Sequence, residues 1–185
     1  MKIDGYHNTD ASNVDNIFKY GFTYRYSDTH WLGQGIYFFA DAQTAFLNLN
    51  MLDHTEEQKT IEVKIEVPES EFLDMDNTEN LNSFIQYCEN QLQLLKQQGK
   101  AYKVKENDKN KAMLKFKCFF LDAFKAEKGY GVIVKTFAKE KPPYAATIHI
   151  NGIDRLGLAF LEKYICVSDN KYIVKKNLIE QECVV

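Results

Sequence analysis

Two neighbouring stretches of this chain demand different backbone periods. Ile61, Val63, Ile65 and Val67 alternate with Glu62, Lys64 and Glu66, and Pro68 stops the run. That two-residue repeat is a strand with one buried and one wet face. From Thr78 the spacing changes to three and four: Leu81, Phe84, Ile85, Cys88, Leu92 and Leu95 line one side of a helix that ends at Gly99. Each apolar stripe needs a partner of its own, so the chain must lay helices against a sheet.

The same reading extends along the chain. A first strand covers residues 3–6. Ser12 to Asp15 resembles a capping box, with Val14, Ile17 and Phe18 at helical spacing and Gly21 closing the helix. His30-Trp31-Leu32-Gly33-Gln34-Gly35-Ile36-Tyr37-Phe38-Phe39 reads as a tight turn feeding a strand, followed by a helix with Thr44, Ala45, Phe46 and Leu49. Residues 100–111 are rich in lysine and poor in large aliphatics, an exposed loop. A further helix carries Met113, Phe116, Phe120, Ala123 and Phe124 and ends near Gly129. Strands return at 132–134, 146–150, 164–167 and 172–174. Strands at both ends with helices between them predict an α+β fold rather than a βαβ repeat.

A length of 185 residues fits a single domain over 1–185, and 45% hydrophobic with 14% aromatic residues excludes a disordered chain. The formal net charge of -3 supplies no global attraction to nucleic acid or anionic membrane. Any nucleic-acid contact must be local, and residues 100–111 are the place for it, a solvated connector being the plainer reading. Cys88, Cys118, Cys166 and Cys183 lie far apart with no C-x-x-C pair, as expected of reduced core thiols in a cytoplasmic protein. No apolar run approaches the roughly 20 residues of a membrane helix. His7, His30, His54 and His149 are scattered, which argues against a metal site. Gly33-Gln34-Gly35 lacks the third glycine of a dinucleotide fingerprint, and neither a P-loop nor a nucleophile elbow occurs.

Three segments carry residues that periodicity does not explain. In Tyr6-His7-Asn8-Thr9, one ring nitrogen of His7 can hold a ligand hydroxyl while the Thr9 hydroxyl pins the other. The alternative is a surface histidine. In the run Gly33 to Phe39, the glycines allow a close backbone approach and Tyr37 offers a face for a flat heterocycle, unless the run is a hairpin with an aromatic core. In Glu162-Lys163-Tyr164-Ile165-Cys166-Val167, Glu162 and Tyr164 share one side at the head of an apolar strand, unless the carboxylate is merely solvated.

Together these segments resemble the ADP-ribosyltransferase superfamily, in its diphtheria-toxin and poly(ADP-ribose)-polymerase branch with the His-Tyr-Glu signature. The Y-H-G-T strand of that branch is matched by Tyr6 to Thr9, its G-F by Gly21-Phe22, and its G-x-G-x-Y-F-A element by Gly33 to Ala40. Trp31 to Phe39 is similar to the W-L-G-x-G-I-Y-F-F version of phage and bacterial toxin-like members. The resemblance implies a split, mostly antiparallel sheet and NAD as co-substrate. His7, supported by Thr9, would take the adenosine ribose and Glu162 the nicotinamide ribose. Tyr37 would stack on nicotinamide and Thr44 would bond its carboxamide, with Asn8, Gly35, Phe38 and Phe46 lining the NAD site.

The implied activity is mono-ADP-ribosylation of a macromolecular acceptor, protein or nucleic acid, by a toxin or effector with a neutralising antitoxin partner. A degenerate NAD-binding or protein-interaction module and an NAD glycohydrolase are the alternatives. Asn8 stands where the family has glycine. The second stacking tyrosine has only Phe46 or Leu47 near its place, and Glu180 and Glu182 are rivals of Glu162.

Overall fold

The computed structural model describes residues 1–49, 57–139 and 160–180. Its strands are β1 (Lys2–Asp10), β2 (Ile36–Phe39), β3 (Gln58–Glu66), β4 (Phe72–Asp74), β5 (Val132–Lys139), β6 (Phe160–Val167) and β7 (Ile173–Ile179). Its helices are α1 (Val14–Tyr20), α2 (Ala42–Leu49), α3 (Thr78–Gln97) and α4 (Lys109–Lys128). The fold is α+β, as the periods require. Its mixed seven-stranded sheet runs β4-β5-β6-β2-β1-β3-β7, with β4 and β5 parallel and the other described pairs antiparallel.

β1 pairs with β3 over nine residues, from Lys2 opposite Glu66 to Asp10 opposite Gln58. That ladder carries β1 past its expected end, so His7, Asn8 and Thr9 sit inside the strand rather than after it. By contrast, β1 meets β2 at one register pair, Tyr6 opposite Phe39. The sheet is therefore two halves, β4-β5-β6-β2 and β1-β3-β7, joined along a one-pair seam.

Each face of the sheet carries its own core. Ile36, Phe38, Ile61, Val63, Ile65, Val132, Val134, Ile165 and Val167 are buried with Ile17 of α1 and Phe22 after it. One residue out of phase, Ile133 and Cys166 pack with Phe84 and Cys88 of α3 and with Phe120, Leu121 and Phe124 of α4. Fully burying a residue such as Phe38 or Phe120 contributes about 1.5–3 kcal/mol.

Helix ends follow local chemistry. The Asn77 side chain accepts from the backbone of Glu79 and Asn80 to start α3, Asp108 does the same for α4 through Asn110 and Lys111, and Gly129 ends α4 in the left-handed region. The Asp108 cap pulls the start of α4 into the lysine-rich stretch expected to be loop. The capping box expected at Ser12 is not formed. Residues 11–13 make a 3-10 turn, and the N-cap of α1 is Asn13, whose side chain caps nothing. Tyr172 likewise ends a 3-10 turn, so the last strand starts at Ile173. The three-residue β4 has no period to read in the sequence, and the strand expected at 146–150 lies outside the described residues. Cys88, Cys118 and Cys166 are buried free thiols; Cys183, His54 and His149 lie outside the described residues.

Candidate active site

The strands bearing the three segments are neighbours, in the order β6, β2, β1. Across the seam, Nδ1 of His7 lies 2.9 Å from the carbonyl oxygen of Tyr37. A carbonyl only accepts, so Nδ1 carries the hydrogen and Nε2 the lone pair of a neutral ring. Burial pushes the His7 pKa down, which keeps the ring neutral. The Tyr37 carbonyl thus does what the sequence assigned to the Thr9 hydroxyl. Thr9 follows on the same face at about 7 Å along the strand, whereas β2 runs alongside. The imidazole packs edge-on against Phe22 at 5.1 Å and tilted against Phe38 at 5.7 Å, on the face opposite the Tyr37 ring.

Asn8, turned the other way, donates from Nδ2 to the Ala45 carbonyl at 2.7 Å and accepts from the Thr60 hydroxyl at 2.9 Å. Its side chain therefore ties α2 to β1, a job no glycine could do. At the start of α2, Asp41 accepts from the Thr44 backbone and hydroxyl, each at 2.7 Å. With its hydrogen given to Asp41, the Thr44 oxygen retains acceptor lone pairs, suited to an amide N–H. Phe46 is half-buried on the same helix.

Tyr37 is locked by its own turn. Its hydroxyl accepts from the Leu32 backbone at 2.7 Å and donates to the Gly33 carbonyl at 2.8 Å. Burial raises its pKa, so the phenol stays protonated. The His30 ring stands edge-on to it at 5.4 Å. Helix α4 clamps the turn from outside. Asp122 accepts from the Gln34 backbone at 2.7 Å, and the Lys125 ammonium donates to the Gln34 carbonyl at 2.7 Å while pairing with Asp122 at 2.8 Å. This clamp escaped the sequence reading, although Lys125 on an otherwise apolar helix face is its visible trace.

The glycines are explained by the chain itself. Gly33 has φ +77, and a Cβ there would lie 2.3 Å from Asp122 Oδ1; one at Gly35 would lie 2.6 Å from Cys166 Sγ and 2.8 Å from the Val167 carbonyl. Both let the turn press onto α4 and β6.

Glu162 is only 4% exposed and lies inside β6, not at its head, because β6 starts at Phe160. The Tyr164 hydroxyl donates to Glu162 Oε2 at 2.5 Å. Burial, and then the carboxylate, raise the Tyr164 pKa and keep that proton in place. Tyr37 pairs with Cys166 and Phe39 with Tyr164, so Tyr37, Phe39, Glu162 and Tyr164 share one face. Trp31 and Phe39 lie 5.5 and 5.2 Å from the Tyr164 ring, and Phe137, opposite Glu162 in the register, lies 5.3 Å from Trp31. The carboxylate thus stands beside a box of aromatic rings, of which Trp31 and Phe39 belong to the glycine-punctuated run 30–39.

Glu180 is exposed just past edge strand β7, away from this face, and Glu182 lies outside the described residues. Among the described residues no three His, Cys, Asp or Glu side chains gather as a metal site, and no helix is long and apolar enough to cross a membrane. Comparison with known proteins gives no match to a family model, a curated protein or a solved structure.

Proposed function

We propose that this chain transfers ADP-ribose from NAD to a macromolecular acceptor with release of nicotinamide, as the resemblance of its motifs to the ADP-ribosyltransferase superfamily implies. In that reaction the bond between ribose C1′ and the pyridinium nitrogen breaks, its electron pair leaves with nicotinamide, and an acceptor nucleophile bonds C1′ and loses a proton. The observation that carries the reading is the His7 to Tyr37 bond across the seam, which joins the first two segments, on β1 and β2, beside the strand bearing Glu162, although the His7 ring and Glu162 stand on opposite faces of the sheet.

Each residue's chemistry suits its role. The lone pair on Nε2 of a neutral His7 accepts a ribose hydroxyl. The Thr44 oxygen accepts from a carboxamide. A carboxylate held by Tyr164 stabilises the cationic ribose as the glycosidic bond opens, as in glycoside hydrolysis. Aromatic faces beside Glu162 favour a flat cationic ring. Because this stabilisation grows toward the transition state, Glu162 acts on turnover and His7 on binding. A toxin or effector role with a protein antitoxin belongs to the same resemblance.

The test is incubation of wild type and Glu162→Gln with NAD labelled in the adenylate and a mixture of candidate acceptors, following nicotinamide release and labelled macromolecule together. Release with label transfer in the wild type, lost in the variant, is expected. Free ADP-ribose without labelled macromolecule would identify a glycohydrolase, and NAD binding without release an inactive binding module.

A further inference from the structure

A groove of about 690 Å³ runs between α4 and residues 26–28 and 102–105. Its lining includes three aromatic residues, Tyr26, Tyr102 and Phe119, and three cations, Lys103, Lys105 and Lys115, against the carboxylates of Asp28 and Asp122. Asp122 is the residue that holds the Gln34 backbone in the turn bearing Tyr37. The groove therefore shares a residue with the clamp on the candidate site.

Its rim is unusual in chemistry. Tyr26, on the groove, is 80% exposed, and its chain neighbours Tyr24, 47% exposed, and Arg25 are exposed beside it. Lys115 is shared between Asp28 and Glu106, each at 3.3 Å, whereas Arg25, Lys103 and Lys105 have no ion-pair partner among the described residues. Residues 100–117 hold seven lysines against Glu106 and Asp108, in a chain of formal net charge -3. A local excess of cations in an acidic chain marks where a polyanion is drawn in.

We infer that this groove and its tyrosine rim bind single-stranded nucleic acid, which is the acceptor class of the proposed transfer; the acceptor assignment, but not the binding, rests on the reading above. An exposed ring such as Tyr26 beside free cations suits unstacked bases over a phosphate track, whereas a duplex hides its base faces. An acidic peptide would use the lysines and leave Tyr24 and Tyr26 idle.

The test is fluorescence polarisation of labelled mixed-sequence 12-mers, as single-stranded RNA, single-stranded DNA and DNA duplex, without NAD and across a salt series. Single strands should bind more tightly than the duplex. The slope of log affinity against log salt should be about -2 for three phosphate contacts, and Lys103→Ala with Lys105→Ala should remove roughly 1.4 of it. Tyr26→Ala should weaken binding at least about fivefold with the slope unchanged. The RNA and DNA arms identify the polymer. Absence of single-strand binding at low salt, preference for duplex or an acidic peptide, or indifference to these substitutions overturns the inference. Because NAD takes no part, failure here leaves the proposed transfer standing, and absent nicotinamide release would leave the groove's binding untouched. Labelled protein with unlabelled oligonucleotide would overturn the acceptor assignment alone.

Discussion

His7 and Tyr37 are held together by a side chain and a backbone: the imidazole Nδ1 donates to the Tyr37 carbonyl at 2.9 Å across a seam where the strands pair once. The bond fixes the tautomer, and burial keeps the ring neutral. An unfolded chain protonates His7 near its ordinary pKa of about 6.5, while the folded ring resists. Below that pH the unfolded state binds more protons, so this group's contribution to stability falls as pH falls. Urea denaturation of wild type at pH 7.5 and 5.5 should show a loss that is smaller in His7→Gln, and equal losses would remove His7 as its source. His30, also pushed down by burial, contributes in the same direction.

Turnover should separate Glu162 from His7. Glu162→Gln is expected to lower kcat for nicotinamide release by about 100-fold or more, with KM for NAD changed only a few-fold. His7→Ala should instead raise KM. Steady-state kinetics on both variants decide it, and a KM effect alone in Glu162→Gln would assign the carboxylate to binding.

Gly35→Ala places a methyl against the Cys166 sulfur and the Val167 carbonyl. A thiol can turn aside but a β6 carbonyl cannot, so the substitution should cost about 1–3 kcal/mol. Thermal denaturation of Gly35→Ala and of Gly35→Ala with Cys166→Ala should show only partial recovery in the pair. Full recovery would mean that the sulfur alone sets the spacing.

Tyr37→Phe retains the ring and deletes the oxygen bridging Leu32 and Gly33. Leaving those partners unmet should cost about 1–3 kcal/mol. Denaturation measures that loss, and an unchanged midpoint would show that the turn stands without the phenol.

Asp76 provides an acid-side check. Burial would raise its carboxyl, but hydrogen bonds from Thr136 and Lys135 hold it at about 2. Its contribution is present above the unfolded pKa and lost as pH falls from about 4 toward 2. Asp76→Asn should flatten that part of the stability profile by about 1 kcal/mol after solvent screening. An identical acid limb in the variant would show that Asp76 contributes nothing there.

Much of the architecture was legible because burial imposes period. Ile61, Val63 and Ile65 announced β3, and Leu81 to Leu95 announced α3. Strand ends were not legible, since β1 and β6 extend as far as their partners allow rather than as far as their apolar residues run. Within the candidate site, His7, Tyr37 and Glu162 could be picked out as residue types, but not what holds them. The Tyr37 carbonyl, the Asp122 and Lys125 clamp and the Tyr164 hydroxyl come from distant positions that only folding makes adjacent. The two glycines looked ready for a ligand because a need for space does not reveal who fills it.

The single Tyr6 to Phe39 pair has a mechanical consequence. Where most neighbouring strands share a ladder, stiffness comes from repeated backbone bonds; here a side chain, the His7 imidazole on the Tyr37 carbonyl, takes on part of that work. Trimming it should turn this joint into the place where the sheet first yields under strain, long before its hydrophobic layers part.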